Sequence, residues 1–153
     1  IFTAPPLFII IVYLLCAVPI LVMDIRHMII PDIVVYPATL LFILFRIFFE
    51  QHSLLRVLMP VVICLVLASS VFFLARGGVG WGDVSLLIMS TSAFGGLIVI
   101  AAVFVAILLS ASWASAMLLV GLVKRSTPIP WAPFFFAGIA SVLILKLFIS
   151  LKV

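Results

Sequence analysis

Charge is what this chain has least of. Only 8% of its 153 residues are charged, eight basic and four acidic. A water-facing surface needs several times that share, so a soluble domain is excluded. Cysteine is nearly absent as well: Cys16 and Cys64 each fall inside an apolar run, without the close spacing of metal or redox motifs. Both read as inert core or lipid-facing residues. The basic residues are scattered rather than clustered, which removes the electrostatic footprint of a nucleic-acid partner. His27 has no second ligand within reach in sequence, so no metal and no cofactor is expected. Alternation of apolar and polar residues is missing too, which excludes a membrane β-barrel.

What remains is grease: 69% of the residues are hydrophobic and the mean hydropathy is +1.65. At about 20 residues per spanning helix, roughly six spans use nearly the whole chain. The fold class is therefore all-α, a polytopic membrane protein, with residues 1–153 forming a single integral-membrane domain in contact with the lipid bilayer. The first apolar run lacks a basic leader and a small-residue cleavage site, and is read as a retained span.

The first span is expected at about residues 4–23, kinked in its final turn by Pro19, with a polar hinge over residues 24–32 and a second span at about 33–49. Residues 50–53 turn the chain, and a third span at about 54–75 brings it back. Because spans two and three form a hairpin, Asp83 at the start of span four lies on the same side as Asp24 at the end of span one. The 40 nearly uncharged residues 84–123 would make a helix of roughly 60 Å, twice the hydrocarbon thickness, so they must break, best at Gly95-Gly96. A proline-rich re-entry at residues 128–133 precedes a sixth span at about 134–150. Both termini then lie opposite the aspartates. Arg26, Arg76, Lys124 and Arg125 fall on the aspartate face, against Arg46, Arg56, Lys146 and Lys152 on the other. That balance leaves orientation undecided.

Two of the four acidic residues, Asp24 and Asp83, thus meet at one face. Carboxylates held together do not both ionise easily, so one stays protonated while the other acts as base, a pair able to activate water and protonate a leaving amine. The run Gly78-Val79-Gly80-Trp81-Gly82-Asp83 fits this chemistry, since residues without Cβ permit a bend and the close approach of an extended substrate. Blander readings stand beside it. Asp83 suits a helix cap, Asp24 a solvated loop residue paired with Arg26, and Asp32 is best read as a cap. Arg26 and Arg76 read as interfacial anchors, while Trp81 and Trp131 fit an interface belt as well as a substrate contact.

Three segments in order resemble the type IV prepilin peptidases, GxGD-type aspartyl proteases. They are Asp24-x-Arg26 with Ile30-Pro31, then Gly78-x-Gly80-x-Gly82-Asp83-Val84, then Ile129-Pro130-Trp131-Ala132-Pro133-Phe134. The resemblance implies Asp24 and Asp83 as the catalytic pair. It makes Gly78, Gly80, Gly82, Arg26, Pro31, Pro130, Trp131 and Pro133 supporting or substrate-binding residues. It also implies a prokaryotic inner-membrane location with a cytoplasmic active face, prepilin or pseudopilin substrates, and pilus or secretion machinery as partners. Two positions depart from the pattern: Asp32 stands where asparagine is usual, and Ser85 where many members carry lysine. Longer members add a cysteine-rich zinc loop associated with methyl transfer, and a compact peptidase-only form is expected here. The rival readings are a proton- or ion-coupled transporter and a non-catalytic assembly scaffold.

Overall fold

The computed structural model describes residues 6–49, 51–74, 80–122, 124 and 127–151, and these form six helices without strands. They are α1 (Leu7–His27), α2 (Asp32–Phe48), α3 (Leu54–Leu74), α4 (Trp81–Phe94), α5 (Gly96–Leu119) and α6 (Ala132–Leu151). Gly78, Arg76 and Arg125 lie outside the described residues.

Four helices, α1, α3, α5 and α6, are long and apolar enough to cross a membrane. The shorter two behave differently. With 14 residues α4 is about 21 Å long, less than the hydrocarbon core, yet it is the most enclosed element, with Val84, Ser85, Leu86, Met89 and Ser90 to Phe94 all buried. By contrast α3 buries only Val57 among its described residues. Its outer surface, like the Leu14, Leu15 and Val18 side of α1, is apolar and exposed, which suits lipid rather than water. The protein is an all-α polytopic membrane bundle wrapped around a short central helix.

The break between α4 and α5 falls at Gly95, whose φ of 86° and ψ of 159° lie where only glycine sits comfortably. Other boundaries depart from expectation. The hinge expected over residues 24–32 is much shorter, because α1 runs through Pro19 and on to His27, carrying Asp24 in a helical turn. Arg26 and His27 in the last turn favour that extension by facing the negative end of the helix dipole, and Met28, at φ 54°, turns the chain while its N–H bonds the Asp24 carbonyl. Asp32 is already helical in α2, and no side chain caps that end. Its carboxylate instead complements the dipole of the first turn. Likewise α6 starts at Ala132 rather than Phe134, with Pro133 in the first turn, where no amide hydrogen is needed.

Three contacts set the core. The Tyr13 hydroxyl of α1 meets Ser90 Oγ of α4 at 2.7 Å in a buried hydrogen bond, and the Tyr13 ring packs edge-on to Phe94 and Phe136. At the far end an Arg46 guanidinium nitrogen lies 3.5 Å from the Ser92 carbonyl, a long contact that places positive charge at the α4 C-terminus. Between α5 and α6, Gly138 packs directly on backbone: a Cβ there would run into the Ala102 carbonyl group and come within 3.3 Å of the Ala106 nitrogen. Small residues at such crossings let membrane helices approach closely. Gly138→Ala should therefore cost about 1–3 kcal/mol, read as a lower unfolding temperature in detergent, whereas Gly121→Ala, with open space around it, costs only what its φ of 75° imposes.

Candidate active site

The site lies where the end of α1, the α1–α2 connection, the start of α4 and the start of α6 converge. Asp24, in the last turns of α1, is buried at 5% exposure. Its Oδ2 accepts a hydrogen bond of 2.9 Å from the Ala132 N–H at the first residue of α6, 108 positions away in sequence. The Trp131 N–H faces the same carboxylate. The first amides of any helix lack intrahelical partners, so this end of α6 supplies donors that would otherwise be orphaned.

Asp83 is built from the same principle within its own helix. It is the third residue of α4, half-buried, and its Oδ2 accepts from the Gly80 N–H at 3.1 Å while its own N–H returns to the Gly80 carbonyl at 3.1 Å. This is a capping box whose forward half is made by backbone, since glycine has no side chain to offer. The two carboxylates are close enough for the Asp24 charge to act on Asp83. Two acidic groups from distant parts of the chain therefore come within electrostatic reach of each other at one end of the bundle.

The glycines divide in their roles. A Cβ on Gly82 would stand 2.8 Å from the Ile30 Cβ and 3.3 Å from its Cγ1, so Gly82 lets α4 press against the Ile30-Pro31 connection. The close approach at Gly82 is thus to the protein's own chain. Gly80, at φ −80° and ψ 149°, holds a conformation open to other residues, and a Cβ added there would meet the Asp83 carboxylate only at an ordinary contact distance of 3.5 Å. Gly78 lies outside the described residues.

The remaining candidates scatter. Pro31 is the residue before α2 and is half-buried beside the site. Arg26 is exposed and makes no ion pair with Asp24 among the described residues, so the solvated Asp24–Arg26 pair considered from sequence does not form. Trp131 is partly buried and stacks on Phe135 at 4.9 Å, and with Pro130 and Pro133 it frames the amide that meets Asp24. Trp81 is 44% exposed and packs on Phe72. Ser85 is buried and turns its hydroxyl to the Trp81 carbonyl. No cluster of three or more metal-ligating side chains exists among the described residues.

A family model described as the type IV leader peptidase family matches residues 8–115, a stretch that contains both aspartates. The chain belongs to that family. Comparison with curated proteins and with solved structures gave no match. Membership of a leader peptidase family carries with it a protease-type activity in a membrane setting, consistent with the four long apolar helices. The segment that supplies the Ala132 amide lies beyond the matched stretch, so the leader-peptidase match and the α6 end of the site are separate observations. Sequence reasoning placed Asp24 and Asp83 on one face but missed that amide, because a backbone donor leaves no residue-type signal.

Steric dependence on Gly82 gives a sharp expectation. Gly82→Ala should destabilise the leader-peptidase bundle by about 1–3 kcal/mol, and Gly80→Ala by less than about 1 kcal/mol, in unfolding measurements. Pairing Gly82→Ala with Ile30→Gly should recover part of the loss, while Ile30→Ala, which keeps the Cβ 2.8 Å away, should not.

Proposed function

We propose that the protein is a membrane aspartic endopeptidase, with Asp24 and Asp83 as its catalytic pair, that removes the leader from prepilin-like or pseudopilin-like substrates at the cytoplasmic face of the inner membrane. The observation that carries this reading is the convergence of two carboxylates on one site, each held by a backbone amide at a helix start, in a chain of the leader peptidase family.

The chemistry follows from the pair. Neighbouring carboxyl groups resist ionising together, so one keeps a proton while the other is charged. The charged carboxylate takes a proton from a water molecule as its oxygen attacks the scissile carbonyl carbon. The protonated partner hydrogen-bonds the carbonyl oxygen as negative charge develops there. Collapse of the tetrahedral intermediate breaks the C–N bond, and the proton passes to the departing amine. Both carboxyl groups then return to their starting state, because one proton has been taken from water and one delivered to the product amine.

Position supports a substrate that is part soluble and part membrane-bound. Asp83 is half-buried and Asp24 sits near the end of a span, which supports a reading in which a basic leader in water would meet an apolar helix in lipid at the pair. The apolar exposed surfaces of α1 and α3 are of the kind along which such a helix could lie. Asp24→Asn and Asp83→Asn should each lower cleavage of a purified prepilin by at least about 100-fold while the protein still inserts and unfolds cooperatively. N-terminal sequencing of the product locates the cut. Full activity in either variant would remove that aspartate from the pair.

A further inference from the structure

Asp24 is held in place from outside its own helix and its own motif. The donor is the Ala132 N–H, 2.9 Å from Oδ2, and Ala132 is wholly buried. Its place is not free to drift. Trp131 stacks on Phe135, Phe134 packs on Trp113 of α5, and Gly138 seats α6 against the Ala102 and Ala106 backbone. The start of α6 is thus fixed to α5, and through the Ala132 amide, beside that of Trp131, to the carboxylate at the end of α1.

We propose that the Ala132 backbone amide is a positioning group for Asp24, with α5–α6 packing at Gly138 setting how closely that amide approaches the carboxylate. This deepens the peptidase reading and rests on it for its catalytic consequence. Anchoring one oxygen restricts rotation of the carboxyl group, and with it the direction in which the other oxygen is presented. Misplacing a reacting group by about 1 Å can cost roughly 100-fold in rate.

The geometry permits a clean test, because the first amide of a helix has no intrahelical partner and proline is well tolerated there. Ala132→Pro deletes the donor and nothing else in the helix ladder. It should lower kcat by roughly 10- to 100-fold with KM changed by less than about twofold. The conservative variant Ala132→Gly keeps the N–H and should restore most of kcat. If proline proves too bulky at this buried position, incorporation of the α-hydroxy acid counterpart of alanine replaces the amide by an ester of nearly the same shape.

A second measurement needs no substrate. Removing the donor should lower the unfolding temperature by roughly 3 °C in the wild-type background and by less than about 1 °C in the Asp24→Ala background, where the acceptor is already gone. Equal shifts in the two backgrounds, or a kcat in Ala132→Gly as low as in Ala132→Pro, would overturn the proposal. Failure of the wild-type protein to cut any leader-bearing substrate would count against the peptidase reading, and the coupling in unfolding temperature would still decide whether Ala132 holds Asp24.

Discussion

The contact on which the site depends is the one between Gly82 and Ile30. A single missing Cβ allows the first turn of α4 to press against the connection that follows α1, and the next residue along α4 is Asp83. Since Asp24 occupies the last turns of α1, the same approach carries one carboxylate toward the other. The rest of the bundle serves to keep α4 at that depth. Tyr13 and Ser90 lock α1 and α4 in register further along, and Arg46 meets the α4 C-terminus at the far end. A helix too short to span by itself is thereby fixed at its start, its middle and its end.

Burying acidic groups in such a bundle carries a desolvation penalty unless each finds donors. Helix starts solve two problems at once here, since their first amides lack acceptors and the carboxylates lack donors. Asp83 uses the start of its own helix and Asp24 the start of α6. Neither aspartate depends on a cation among the described residues, and Arg26 in particular stays out in solvent. Amide donors satisfy a carboxyl group without forcing it to stay ionised, whereas a tight pairing with arginine would hold the carboxylate permanently charged.

Much of this could be read from residue types. Continuous apolar runs gave the helices, Gly95-Gly96 gave the break in the long run, and counting the hairpin of α2 and α3 put Asp24 and Asp83 at one end. Other features left no such trace. The end of α1 is decided by Met28 adopting a left-handed conformation, which a non-glycine residue does not advertise, so the hinge looked longer than it is. Asp32 resembled a cap because acidic residues often are, yet the chain enters α2 one residue earlier with Pro31 outside it. Gly138 looks like any glycine in an apolar helix until α5 is set against it. The hydrogen bond from Ala132 is the extreme case, for a main-chain donor is the same in every residue but proline.

The distribution of polar groups through the bundle also bears on what the aspartates are for. An ion or proton relay needs ionisable groups stepping across the hydrocarbon region, each within reach of the next. Among the described residues the buried polar side chains beyond the aspartates are hydroxyls, those of Ser85, Tyr13, Ser90, Thr91 and Ser92, and most bond back to their own helix or to each other. Those groups tie the bundle together and do not extend the carboxylate pair inward. Among the described residues Asp24 and Asp83 stand at one end, where Asp83 is half-buried and the outer faces of the helices are apolar and exposed. The central placement of a helix as short as α4 is what brings an acidic group of its first turn close to the apolar outer faces of the neighbouring helices.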